Sequence, residues 1–172
     1  MGPGESTRTE ILRPAVILDR EELIRRYGRP RDGRLVFTNG VFDLLHRGHV
    51  ASLEAARSLG DQLVVGVNSD ASTQRLKGSP RPFQSEADRA EILSSIRFVD
   101  VVTVFEEDTP EDLISQLLPD VLVKGADYSE DQIAGAEAVR RAGGEVVLVE
   151  LKAGLSSSDL IRRIRAGCAP DL

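Results

Sequence analysis

From Arg34 onward the apolar positions fall into compact, β-branched runs, RLVFTN, QLVVGVN, VDVVTVF, DVLVKG and EVVLVE, separated by segments with helical periodicity. The runs are nearly continuous in Val, Leu and Phe rather than alternating with polar residues. Strands of that kind are covered on both faces and are therefore parallel. Helical patterns follow at residues 48–59, 85–96, 110–118 and 130–142, and after the last run at 157–166. Regular alternation of strand and helix requires right-handed crossovers, so the chain predicts an α/β fold with a doubly wound, five-stranded parallel sheet. Ahead of the first run, LDREELIRRYG reads as a short helix. Asp19 is placed to cap it, Glu22 completes a capping box, and Gly28 stops it.

Length and composition bound the organisation. A chain of 172 residues suffices for one core and is short for two. The pattern predicts a flexible tail over residues 1–17, where MGPGESTRTE lacks the basic-then-apolar order of a secretory signal. One domain over residues 18–168 follows, with its core beginning at about residue 33 and a short tail at 169–172. No window approaches the roughly 18 uninterrupted apolar residues of a membrane span. The formal charge of −6 argues against broad attachment to nucleic acid, which needs clustered cations. A single cysteine, Cys168, excludes an internal disulfide framework and points to a reducing, cytoplasmic setting.

In doubly wound sheets ligands collect beyond the carboxyl ends of the strands. The segments found there, GVFDLLHRGH, NSDASTQRLKGSPRP, EEDTP, KGADY and KAGLSSSD, are rich in glycine, short polar side chains and cations, the composition of a phosphate and nucleotide site. The only two histidines, His46 and His49, stand three residues apart at a loop-to-helix transition with Gly48 between them. At that spacing both imidazoles lie on one side of the first turn. The helix start adds unpaired N–H groups and a positive dipole end, and Gly48 permits close approach of a ligand to the backbone. A structural zinc site would need three or four ligands, and no third histidine exists. Neither a GxxxxGK[ST] loop nor a GxGxxG fingerprint is present.

HRGH within FTNGVFDLLHRGH resembles the HxGH signature of the nucleotidyltransferase superfamily. The later segments LGDQLVVGVNSDASTQRLKGSPRPF, FVDVVTVFEEDTPEDLISQLLPDVLVKGADY and GLSSSDLIRRI resemble the D-glycero-β-D-manno-heptose 1-phosphate adenylyltransferases of the cytidylyltransferase-like family, in their stand-alone form. The likeness covers about residues 33–166. Relatives acting on glycerol 3-phosphate usually carry MGDDW and RTxGISTT where this chain has KGADY and LKAGLSSS, which favours the heptose.

The resemblance implies a Rossmann-like nucleotidyltransferase fold and a set of roles. Gly40, Val41 and Phe42 would hold the nucleotide, with core packing the alternative for Phe42 and Asp43 nearby as a structural or ion-pairing carboxylate. His46 and His49 would donate to the triphosphate and the displaced centre. Lys77 would reach the phosphate of the sugar or the bridging oxygens, supported by Arg75; plain solvated charge is the alternative. Asn68 and Asp70 would contact sugar hydroxyls, or else form Asx-type turns. Arg89 lies in the first turn of a helix capped by Ser85, where a cation opposes the macrodipole, and this favours an anion contact. Lys124, Gly125, Asp127 and Tyr128 would lie under the adenine, with packing the alternative for Tyr128. Ser156, Ser157 and Ser158 open the last helix as a second anion cradle, with Asp159 nearby for capping.

The implied reaction is in-line attack of a heptose 1-phosphate oxygen on the α-phosphorus of ATP, giving ADP-heptose and pyrophosphate for bacterial surface glycan. The nucleophile is already an anion, so positioning and charge stabilisation suffice without a strong base. A divalent ion, Mg²⁺, would arrive with ATP and keep much of its water, so no metal ligands are expected on the protein. Transfer to another small phosphate, such as glycerol 3-phosphate or FMN, and a non-catalytic nucleotide sensor stay open at this point. A homodimer is compatible with the resemblance.

Overall fold

The computed structural model describes residues 15–126, 133–149 and 157–167. Its sheet has six parallel strands: β1 (Val16–Ile17), β2 (Leu35–Gly40), β3 (Gln62–Asn68), β4 (Val101–Phe105), β5 (Val121–Gly125) and β6 (Glu145–Val149), in the order β1-β4-β3-β2-β5-β6. Six strands replace the expected five. The additional one is a two-residue edge strand, with Val16 opposite Val101 and Ile17 opposite Val102, inside the stretch that reads as tail. Two residues carry no periodicity, and both are exposed, so only pairing to β4 defines them.

Among the described residues, seven helices cover the sheet: α1 (Arg20–Tyr27), α2 (Arg47–Arg57), α3 (Asp70–Lys77), α4 (Glu86–Ser94), α5 (Glu111–Leu117), α6 (Ala136–Arg141) and α7 (Ser157–Arg165). The α1 caps form as the sequence expects, with Asp19 accepting from the Glu22 N–H and Gly28 closing the last turn. Side-chain alternation along the strands supplies two cores. Leu35 and Phe37 of β2 join Leu23, Leu113, Ile114, Leu117 and Val139 from α1, α5 and α6. Val36 points the other way, to Leu53, Ala56, Ala90 and Leu93 of α2 and α4. Both faces of the central strands are therefore dry, which is why their sequences show no polar phase. Gly66 sits where a Cβ would come within 2.8 Å of the Phe37 ring, so the middle of β3 has room for glycine alone.

Helix α3 is the element that sequence reasoning leaves as loop. It buries Ser72 and Thr73 instead of an apolar stripe, and therefore shows no hydrophobic period. Its stability comes from Ser69, which accepts from the Ser72 N–H, and from Gly78, whose φ of 72° ends the helix. The chain leaves β2 outward through β3 and β4, then returns to β5 on the other side of β2. The topological switch point thus lies between β2 and β5, and the crevice beyond their carboxyl ends is the site this fold provides. Among the described residues no helix is long and apolar enough to cross a membrane.

Candidate active site

β2 ends in Asn39 and Gly40, and the chain then turns sharply through Phe42, whose φ is +52°. A bulky residue in the left-handed region is strained and persists only where its surroundings demand it. Here the ring folds back over Gly40, where a Cβ would stand 3.1 Å from Phe42 Cε2. The ring also meets His49 edge-on, at 5.3 Å between centroids and 61°. Phe42 thus packs against the motif, the alternative left open from sequence.

His46 is the N-cap of α2 and His49 its third residue. Their rings stack with centroids 3.8 Å apart and 21° between planes, so the spacing brings them onto one side as expected. The backbone N–H of His46 donates to Nδ1 of His49 at 3.4 Å, which makes that nitrogen an acceptor and puts the proton of the neutral ring on Nε2. Nδ1 of His46 is buried with no hydrogen-bond partner among the described residues. Burial, and then the neighbouring His46, push His49 down to about 4 from its ordinary 6.5. Burial lowers His46 as well. At neutral pH both rings are therefore uncharged hydrogen-bond donors.

Asp43 organises the next wall. Its carboxylate is 1 % exposed and accepts from Arg81 Nε at 2.5 Å and from the backbone N–H groups of Phe83 and Gln84 at 2.8 and 3.0 Å. The Gln84 side-chain amide donates back to the Asp43 carbonyl at 2.7 Å. This confirms the ion-pairing role read for Asp43 and brings in Arg81 and Gln84, which sequence reasoning missed. Across the switch point, Lys124 Nζ of β5 donates to Asn39 Oδ1 of β2, with Gly125 ending the strand. Ser157 at the start of α7 donates to the Leu44 carbonyl at 2.9 Å, tying that helix to the histidine loop. Asp127, Tyr128 and Ser156 lie outside the described residues.

Several expected ligand contacts are instead internal bonds. Arg89, read as an anion contact, has a fully buried side chain. Its guanidinium donates to the carbonyls of Gln84 at 3.1 Å, Val41 at 2.6 Å and Asn68 at 2.8 Å, and to Asp70 Oδ1 at 2.7 Å. Four of its five N–H donors are thereby used, and it braces the Val41 turn against the ends of β3 and α4. Asn68, read as a sugar contact, is 3 % exposed and donates to Ser72 Oγ. Asp70 faces Arg89, with its own N–H on Glu86. Arg75 does not support Lys77 but holds Asp108 and the Glu106 carbonyl, both at 2.6 Å. Lys77 ends α3 rather than sitting in a loop, and lines a pocket of about 400 Å³ whose opposite wall is Ser158, Arg162 and Arg165 of α7.

Among the described residues no group of three or more His, Cys, Asp or Glu side chains could hold an ion.

The cytidylyltransferase-like family model matches residues 37–163. The Bifunctional protein HldE of Magnetococcus marinus is 56% identical over 133 residues, covering 77% of this chain and 27% of that protein. Its counterpart in Mesorhizobium japonicum is 59% identical over 131 residues, covering 76% and 26%. The chain thus spans about a quarter of the length of these curated relatives. Among solved structures, the lipopolysaccharide core biosynthesis protein from Thermoplasma volcanium superposes with a TM-score of 0.58 at 30% identity, covering 70% of this chain and 97% of that one.

Proposed function

The chain belongs to the cytidylyltransferase-like family, and from that premise we propose that it transfers AMP from ATP to D-glycero-β-D-manno-heptose 1-phosphate, giving ADP-heptose and pyrophosphate for surface glycan synthesis. The observation that carries the reading is the stacked, neutral His46–His49 pair at the start of α2, beside the switch point. The choice of acceptor is supported by the HldE relatives, the lipopolysaccharide core biosynthesis neighbour and the KGADY and LKAGLSSS segments.

In this reading the triphosphate lies along the start of α2, where the ring N–H groups of His46 and His49 and the helix N–H groups meet its oxygens. Both rings are neutral at pH 7, so they act as donors held in place before reaction. The phosphate oxygen of the sugar attacks the α-phosphorus as the bond to the pyrophosphate oxygen breaks. The attacking group has no proton to lose at neutral pH, so the step calls for no strong base. Lys77 would meet phosphate oxygens from the other side. A divalent ion such as Mg²⁺ arriving with the nucleotide would supply further neutralisation of the triphosphate charge. The test is pyrophosphate release from paired substrates: ATP with heptose 1-phosphate should turn over, whereas release only with CTP and glycerol 3-phosphate would replace the assignment. Calorimetric ATP binding without turnover of any pair would make the protein a sensor.

A further inference from the structure

The rim segment EEDTP, which follows β4, has no part in the proposed reaction. It lies against α3, and no residue of α3 joins either apolar core. The buried side chains of α3 are Ser72 and Thr73, while Leu76 is 47 % exposed. What fastens the helix is a row of polar contacts at three-residue steps, the spacing that keeps positions on one helix face. The N–H of Ser69, the N-cap, donates to the Phe105 carbonyl at 2.9 Å. Ser72 Oγ donates to the Glu107 carbonyl at 2.9 Å and accepts from Asn68 Nδ2 at 3.0 Å. Arg75 donates to Asp108 Oδ1 and to the Glu106 carbonyl, both at 2.6 Å. Residues 69, 72 and 75 are thus tied to the consecutive residues 105–108.

The receiving segment is itself held. Phe105 is buried at the end of β4, Arg20 of α1 donates to Glu107 Oε1 at 2.5 Å, and the buried Pro110 leads into α5. Past Arg75 the helix has no such hold. Leu76 and Lys77 are exposed, and Gly78 ends the helix at φ 72° in open space, where a Cβ would meet nothing within 4 Å. Lys77 is therefore carried on an overhanging end, two residues past the last fastening. An apolar seat resists tilting through many weak contacts at once. A helix seated on directional bonds takes its tilt from those bonds, and the pair made by Arg75 is the last before Lys77.

We infer that Arg75 is a positioning residue: by fastening α3 to residues 106 and 108 it sets where Lys77 stands. It gives Lys77 no second cation for an anion, because its donors are turned to the 106–108 segment. That Lys77 meets the acceptor's phosphate rests on the adenylyl-transfer reading. The ion pair of Arg75 is half-exposed and adds little to stability, so Arg75→Gln and Lys77→Gln should both melt within about 2 °C of the parent. A double-mutant cycle on kcat/KM for heptose 1-phosphate at saturating ATP tests the role. Each single variant should lower kcat/KM by about tenfold, inside the roughly 10²-fold that a misplacement of about 1 Å can cost. In a chain already carrying Lys77→Gln, Arg75→Gln should lower it no further, because the group it places is gone. Arg75→Lys, which cannot fork between a carbonyl and a carboxylate, should recover only part of the loss. Arg25→Gln breaks an exposed pair of the same kind on α1 and should stay within about twofold. Losses that multiply in the double variant, a parental kcat/KM in Arg75→Gln, or no effect of Lys77→Gln overturns the inference. If heptose 1-phosphate is not turned over, the proposed reaction falls, and the same cycle is read in calorimetric affinity for inorganic phosphate. Non-additive losses there keep the positioning role, whereas additive losses or none overturn it.

Discussion

Replacing Arg89 by alanine separates a brace from an anion ligand. The guanidinium makes four hydrogen bonds, to the Gln84, Val41 and Asn68 carbonyls and to Asp70. Each charge-assisted bond is worth about 1.5–3 kcal/mol, so outright loss of all four would come to about 6–12 kcal/mol. That ceiling is not reached, because Asp70 is 43 % exposed and can turn to water, and water can enter the vacated space beside the carbonyls. The expected loss is about 3–5 kcal/mol, the range for breaking a buried pair. For a chain of 172 residues that lowers the melting temperature by roughly 10 °C. Differential scanning calorimetry measures it. Arg89→Lys keeps the charge but cannot fork between three carbonyls, and should recover less than half of the loss. The KM for ATP should rise in both, because the Val41 turn that precedes Phe42 is no longer held. An Arg89→Ala protein that melts within about 2 °C of the parent and yet loses turnover would refute the brace and restore a direct contact with substrate.

Other perturbations read different parts of the site. His49→Ala should reduce kcat by about 10²–10³, the loss typical of one positioned donor, with a near-parental melting temperature. Because His49 is lowered from 6.5 to about 4, the unfolded chain takes up its proton first as pH falls. Stability is then complete above about pH 6.5 and declines between 6.5 and 4, by about 1–2 kcal/mol once the ring's partial exposure is discounted. Urea unfolding of parent and His49→Ala across that window checks this, and parallel pH curves would contradict it. Asp43→Asn should cost about 3 kcal/mol in denaturant unfolding and speed proteolytic cutting at residues 79–84; an uncut, fully stable variant would show that the carboxylate does not hold that segment.

The parts of the fold readable from sequence are those whose stability lies in apolar burial. β2 to β6 are continuous Val- and Leu-rich runs because both faces of the sheet are covered, and such burial writes itself into composition. α1 was equally readable, since Asp19 and Gly28 act locally and their effect does not depend on what lies around them. β1 and α3 were not. Val16 and Ile17 are a strand only because β4 offers an open edge, and α3 packs serine and threonine where a period would need leucine.

The same distinction governs the site. The histidine pair was legible because three-residue spacing at a helix start fixes mutual placement whatever the rest of the chain does. Arg89 was not, because its role depends on carbonyls at positions 41, 68 and 84, which meet only once the sheet has formed. A cation in the first turn of a helix does oppose the macrodipole, and that local penalty is visible in the sequence. Three carbonyl dipoles and Asp70 supply the compensation an anionic ligand was expected to supply. Arg81 reverses the case: flanked by Pro80 and Pro82, it reads as loop charge, and only the buried Asp43, 38 positions earlier, holds it inward. Local rules thus located the donors, whereas deciding which cations face inward required the long-range carboxylate and carbonyl partners that folding brings to them.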